Sequence, residues 1–247
     1  MGKKIQKLKR LKRIRIHREG TDTLIYSAFA IIAVAVILWR AFDSTLPFWI
    51  FTIIFGITWG IVLNFFRCPV RKFASRSTSA EAASSIEDTC GIVVAPADGK
   101  VVVIEKIPDC DYFHEPRIMV SIFMSLFNVH ANWFPVDGHV LNVEHFNGNF
   151  HKAWLPKAAA ENEHADVIIE ATNGDKILCR QIAGAVARRI KTYASEDDDC
   201  FIDEHLGFIK FGSRVDVFLP VDSEICVKMG QATTGDQTVI AKMPIRE

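Results

Sequence analysis

Residues 166–182 read DVIIEATNGDKILCRQI. Asp166–Thr172 and Asp175–Ile182 are short apolar runs rich in β-branched residues, and Asn173-Gly174 separates them. Both central positions of a two-residue type I′ turn have φ > 0, which Asn and Gly tolerate best, so this stretch predicts a β-hairpin. The same texture extends outward in both directions. Gly91–Ala95 and Lys100–Glu105 flank a tight turn, Pro96-Ala97-Asp98-Gly99, that reads as a second hairpin. Ile118–Phe123, His139–Glu144, Ala187–Tyr193, Gly207–Phe211, Arg214–Leu219, Glu224–Met229 and Thr238–Met243 complete the expected strands. Helical periodicity is limited to a turn or two around Lys157–His164, and no internal repeat is evident. The fold class is therefore mainly β: an antiparallel β-sandwich or open barrel.

Upstream the chain changes character. Leu24–Trp39 and Leu46–Phe66 are apolar runs of sixteen and twenty-one residues. As a helix the second reaches about 31 Å, enough for a hydrocarbon layer, and the first needs its flanks to do the same. Trp39, Phe42, Phe48 and Trp49 cluster at the connection, where an aromatic belt belongs, and Asp43–Pro47 supplies a turn. Residues 1–20 carry nine Lys/Arg against one Glu, and Arg67, Arg71, Lys72 and Arg76 follow the second run. Basic residues on both outer flanks predict a transmembrane helical hairpin with both ends cytoplasmic. A cleaved signal peptide is the rival reading, disfavoured by the length of the run and the second run directly after it.

The 247 residues contain 29 basic and 29 acidic side chains, and this neutrality is composite. The first twenty residues hold +8, leaving −8 for residues 21–247. The basic segment reads as a topology signal, so no nucleic-acid partner is expected, and the acidic remainder predicts a domain that does not adsorb flat onto anionic lipid. Six scattered cysteines, Cys68, Cys90, Cys110, Cys179, Cys200 and Cys226, contain no C-x-x-C pair and read as small apolar fillers in a reducing compartment. His139, His145 and His151 recur at six-residue intervals without the close spacing of a ligand set, so no metal is expected.

Three places combine unusual residues with turn signals: Ala95–Lys100, Phe127–Asn132, and Gly207–Asp216, where Gly212-Ser213 interrupts what would otherwise be one long strand. Each has a plain structural reading, respectively a hairpin turn, a satisfied histidine and a β-bulge. Together they offer a carboxylate, an imidazole and a hydroxyl, the parts of a base-activated nucleophile.

On these residues the chain resembles the short, membrane-bound phosphatidylserine decarboxylase proenzymes of the pyruvoyl-dependent family. The resemblance runs through Arg18-Glu19-Gly20, Phe65–Arg71, Ala95–Lys100, Phe127–Asn132, Glu161-Asn162-Glu163, Ile182-Ala183-Gly184 with Ala187-Arg188-Arg189, and above all Phe211–Pro220, FGSRVDVFLP. Departures are Cys68 in place of Asp, Leu126 and Trp133 in place of Pro and Arg, and His205-Leu206 in place of Arg-Phe. The resemblance implies self-cleavage between Gly212 and Ser213, with Ser213 as nucleophile, His130 as base and Asp98 as its orienting carboxylate. Ser213 would then become a covalent pyruvoyl group, an electron sink for decarboxylating phosphatidylserine to phosphatidylethanolamine. His130 is the candidate acid for the later protonation, and Arg188, Arg189 and Arg214 are candidates for the headgroup phosphate.

The implied organisation is a basic cytoplasmic segment (1–20), a membrane hairpin (21–66), a juxtamembrane linker (67–90) and a catalytic domain (91–247) on the cytoplasmic side of the cell membrane. Chains 1–212 and 213–247 would remain associated, and assembly into a homo-oligomer stays open. Two alternatives stand beside this reading: a non-catalytic, membrane-anchored lipoyl-like adaptor, and a decarboxylase of another serine-headed lipid.

Overall fold

The computed structural model describes residues 14–42, 46–73, 89–110, 112–149, 162–184, 189–210 and 213–245. The expected turn around Lys157–His164 lies outside these except for residues 162–164, and His164 already begins a strand. The chain divides into two compact units, Met1–Val70 and Arg71–Glu247.

In the first unit, strand β1 (Ile14–Ile16) leads into helices α1 (Arg18–Phe42) and α2 (Leu46–Phe65), and β2 (Arg67–Pro69) returns antiparallel to β1 with Arg15 opposite Cys68. Both helices are long and apolar enough to cross a membrane. Ile25, Phe29, Ile32 and Ile37 on α1, and Trp49, Ile53 and Ile57 on α2, are exposed. Such apolar surface suits lipid and not water. Thr52 and Thr58 donate to the carbonyls of Phe48 and Ile54 at 2.9 Å, satisfying inside the helix hydroxyls that hydrocarbon would leave bare. Trp39 and Phe48 meet edge-on at 5.1 Å where the helices connect. At the other end a Cβ on Gly20 would sit 2.2 Å from the Phe66 ring, so only glycine permits the start of α1 to pack there.

The second unit contains β3 (Ile92–Val94), β4 (Gly99–Ile107), β5 (Arg117–Met124), β6 (Ala131–Trp133), β7 (Gly138–Phe146), β8 (His164–Ala171), β9 (Lys176–Ala183), β10 (Ile190–Thr192), β11 (Asp199–Cys200), β12 (His205–Ile209), β13 (Ser213–Pro220), β14 (Glu224–Ile225), β15 (Ala232–Thr233) and β16 (Val239–Lys242). Eight of these form a curled antiparallel half-barrel in the order β11-β7-β8-β9-β13-β5-β4-β15. Two three-stranded sheets, β10-β12-β6 and β14-β16-β3, accompany it. The mainly β class with an apolar helical pair in front is thus the observed architecture.

The Asn173-Gly174 hairpin forms, β8 pairing with β9 with Asp166 opposite Arg180 and Glu170 opposite Lys176. Its loop, however, is Thr172–Gly174, closed by Ala171 N on Asp175 O at 2.8 Å, and of the two turn residues only Gly174 takes positive φ, 84°. Pro96-Ala97-Asp98-Gly99, in contrast, is not a hairpin turn. The strands beside it, β3 and β4, lie in different sheets, so this segment is a crossover. Gly99 is needed because a Cβ there would come within 2.2 Å of the Phe123 carbonyl oxygen on β5.

Strand alternation decides what each residue of β13 meets. Val215, Val217 and Leu219 join the main core with Ile122, Met124, Val167, Ile169, Ile177 and Cys179, while Phe218 packs on the opposite face with Met119, Leu178 and Cys110. Ser213 shares the parity of the core face, and Arg214 and Asp216 that of the opposite face. Every residue of β13 is buried, so Arg214 and Asp216, unlike the apolar run usual for a strand covered on both faces, need partners within the fold. All six cysteines are free, and Cys179 and Cys200 are core fillers. Burial pushes the Cys200 thiol up to about 12, aided by Asp137.

Candidate active site

Between β12 and β13 the chain leaves the small sheet for the central strand of the large one. Lys210 marks the exit, Phe211 and Gly212 lie outside the described residues, and Ser213 is the first residue of β13. The Gly-Ser interruption visible in the sequence is therefore a change of sheet.

Ser213 is fully buried, paired to Met124 of β5 on one side and Ala183 of β9 on the other. Its Oγ donates to the Met124 Sδ at 3.5 Å, and Asn132 Nδ2 approaches the same sulfur at 3.7 Å. A thioether is a weak acceptor, so it orients the hydroxyl without holding it firmly. Asn132 Oδ1 accepts from Gln181 Nε2 at 2.7 Å, and Gln181 Oε1 accepts from Thr192 Oγ1 at 2.9 Å. This relay of buried amides ties β6, β9 and β10 to the neighbourhood of the serine. Gly207 on β12 makes room for it, since a Cβ there would lie 2.7 Å from Gln181 Nε2 and 2.3 Å from the Lys191 carbonyl oxygen.

His130 is fully buried immediately before β6 and two residues from Asn132. Its carbonyl accepts from Ile209 N at 3.3 Å, and its Nδ1 lies 2.9 Å from the carbonyl oxygen of Asn128. A carbonyl only accepts, so Nδ1 carries the hydrogen and the neutral ring keeps its lone pair on Nε2. Residues 125–128 form the turn that places this carbonyl: Asn128 N donates to Ser125 O at 2.9 Å, and Asn128 Oδ1 accepts from Ser125 N and Oγ at 2.9 and 2.7 Å.

Asp98 has other partners than the expected histidine. Arg71 clasps both its carboxylate oxygens, Nη2 to Oδ2 at 2.8 Å, and Gly235 N donates to Oδ1 at 2.8 Å. No hydrogen bond joins Asp98 to His130 among the described residues. The Arg71 guanidinium also donates to Gly235 O at 2.8 Å and lies 4.9 Å from the Trp133 ring centre. Asp98 thus braces the C-terminal end of β6, the strand that His130 enters. Arg71, counted in the sequence with the basic flank of the hairpin, belongs by contact to this site, and Trp133 completes its stacking.

The basic candidates separate. Arg188 lies outside the described residues; Arg189 is exposed just before β10. Arg214 is buried on the face opposite Ser213, bonded to Asp216 through Nε at 2.6 Å and Nη2 at 2.8 Å, and to Ser121 at 2.8 Å. Its neighbours give it a structural ion pair. Burial pushes the Asp216 carboxyl up, and Arg214 is the main opposing influence. Arg180 and Asp166 continue this polar row on β9 and β8 through two contacts of 2.7 Å. Of the three spaced histidines, His139 and His145 stand at the two ends of β7, about 20 Å apart by strand rise. They face Asp199 and Glu163 respectively, and His151 lies outside the described residues.

Buried hydroxyl, imidazole and amide groups at one end of a central strand define an enzyme-like polar centre within an apolar sheet stack. The sequence profile of the phosphatidylserine decarboxylase family matches residues 61–241, which include all of this centre. The phosphatidylserine decarboxylase proenzyme of Phocaeicola vulgatus is 54% identical over 239 residues, 97% of this chain and 100% of the relative. That of Bacteroides fragilis is 55% identical over 237 residues, covering 96% and 99%, and that of Porphyromonas gingivalis 45% identical over 231 residues, covering 94% and 100%. The chain belongs to the phosphatidylserine decarboxylase family and is an enzyme of that type.

Proposed function

We propose that this protein decarboxylates phosphatidylserine to phosphatidylethanolamine after cutting itself between Gly212 and Ser213. The observation that carries the reading is the position of Ser213: a buried serine on a weak acceptor, at the point where the chain changes sheets. Its Oγ would attack the Gly212 carbonyl carbon as the C–N bond to Ser213 breaks, with His130 Nε2 taking the hydroxyl proton and returning it to the freed amine. Elimination of the Gly212 carboxylate from Ser213, then hydrolysis with loss of ammonia, would leave a pyruvoyl group at the head of the new chain.

The surroundings fit such a group, because it is made from Ser213 itself, and Met124 and Asn132 already line the position. When present it supplies the electron sink that departure of carbon dioxide requires. The protein's own side chains do the rest. Asn132 and Gln181 orient the centre, Asp98 acts through Arg71 and Gly235 to hold β6, and His130 holds the proton returned to the substrate carbon. Arg188 and Arg189 are assigned to the headgroup phosphate.

The two products, 1–212 and 213–247, would stay together because β13 lies between β5 and β9 and β16 pairs with β3. The apolar helices α1 and α2 support a reaction at the cell membrane, and the basic residues on their outer flanks support residues 91–247 on the cytoplasmic side, joined through residues 67–90. Intact mass measurement of the purified protein tests the reading. Two chains split at Gly212-Ser213, the smaller one blocked to Edman chemistry, and conversion of labelled phosphatidylserine are expected. Ser213→Ala should leave one chain without activity. A wild-type protein that is active as a single uncut chain would overturn it, as would exclusive turnover of a different serine-headed lipid.

A further inference from the structure

Two large apolar side chains occupy the apex of the turn that places His130. Leu126 is 45% and Phe127 68% exposed. The turn is closed by Asn128 on Ser125, so its two central residues are held outward by backbone geometry. It directly follows Met124, the last residue of β5 and the partner of Ser213, so the apex lies at the Ser213 end of the central strands. Two basic residues lie on the backbone bonded next to it: Ile209 N donates to the His130 carbonyl, and the next residue, Lys210, donates through its main-chain N–H to the carbonyl of the exposed Arg189 at 3.3 Å.

We propose that Leu126 and Phe127 insert into the interface of an anionic bilayer, with Arg189 and Lys210 at headgroup level, and so open the Ser213 end of the domain directly onto lipid. The proposal rests on the phospholipid reading of the site and extends it. A diacyl substrate does not leave the bilayer readily, and an apolar tip with a cationic border matches the two layers of a lipid surface, acyl boundary and anionic headgroups. A one-point contact also suits a region carrying a net −8, which repels anionic lipid elsewhere.

The test uses the full chain in phosphatidylcholine vesicles with or without phosphatidylglycerol. The photo-crosslinker p-benzoylphenylalanine replaces either Phe127 or Val221, an exposed apolar residue just past the opposite end of β13, about 24 Å away by strand rise. Expected are lipid adducts at position 127 several-fold above those at 221, increased by phosphatidylglycerol. This readout needs no turnover. Equal adducts at the two positions overturn insertion, whether or not the protein decarboxylates phosphatidylserine. In the variant Leu126→Ser/Phe127→Ser the ratio of activity on bilayer substrate to activity on dispersed short-chain phosphatidylserine should fall roughly tenfold, as an aromatic-aliphatic anchor worth about 1.4 kcal/mol would give. Phe127→Trp should keep bilayer activity. An unchanged ratio of bilayer to dispersed activity in the double-serine variant overturns the proposal. If intact wild type converts neither substrate, the functional reading fails while the adducts still decide insertion.

Discussion

The Nδ1 of His130 lies 2.9 Å from the main-chain carbonyl of Asn128, two residues before it. The imidazole is thus set by a backbone turn, in the place where a carboxylate was expected. Asn128→Ala removes the side-chain acceptor for Ser125 N and Oγ and should lower stability by about 1 kcal/mol, the usual worth of such a cap. Self-cleavage should slow several-fold, and Asn128→Asp, which keeps the acceptor, should retain most of the rate. Thermal melts and a time course of chain splitting measure both; a melting loss with an unchanged cleavage rate would dissociate the turn from His130.

Arg71 and Asp98 form a largely buried pair, their side chains 12% and 13% exposed. Arg71→Gln leaves the carboxylate with Gly235 N–H and should cost about 3 kcal/mol, at the lower end for breaking such a pair. Asp98→Asn should also lower the melting temperature. If Asp98 works through Arg71, the pH midpoint of self-cleavage in Asp98→Asn stays where the wild type has it; a displaced midpoint would put Asp98 in direct control of the histidine.

Gln181 connects Asn132 to Thr192 with both ends of its amide. Gln181→Leu leaves the buried Asn132 and the half-buried Thr192 without that partner, a loss of about 2 kcal/mol. It should also slow cleavage, because Asn132 shares the Met124 sulfur with Ser213. Gly207→Ala should reproduce the defect by pushing Gln181 aside. Urea unfolding and the cleavage time course measure the two effects, and an unaffected rate in both variants would remove the amide relay from the site.

On the opposite face, Tyr112 Oη donates to Glu144 Oε2 at 2.7 Å and Asn142 Nδ2 donates to Oε1 at 2.9 Å. These bonds hold the Glu144 carboxyl below the usual glutamate range. A carboxyl lowered by folding contributes stability that is complete above its unfolded pKa and is lost as pH falls through the folded one. Tyr112→Phe should therefore melt earlier than the wild type at neutral pH, with the difference shrinking in acid. A difference independent of pH would count against the bond.

The local part of this architecture was readable from the chain. Asn173-Gly174 marked its hairpin because the loop needs a glycine at positive φ, and the apolar runs marked α1 and α2 because membrane-length helices need little beyond continuous hydrophobicity. The short β6 escaped, since Ala131–Trp133 carries no alternation long enough to see, and β1, β2, β11 and β15 are as brief. Pro96–Gly99 was misread as a hairpin because a turn motif does not say which sheet each flanking strand joins.

By itself the sequence determined the class: a β-rich unit after two lipid-compatible helices, with Gly212-Ser213 at a break in strand pattern and a match to one enzyme family along nearly the whole chain. Tertiary structure alone decided the partners. Arg214 and Ser213 are neighbours in sequence, yet the period of two sends the arginine to Asp216 on one face and the serine toward Met124 on the other. Arg71 finds Asp98 across 27 residues and Asn132 finds Gln181 across 49. Such pairings depend on strand order and register, which are set by burial of the whole sheet and not by any short stretch of it.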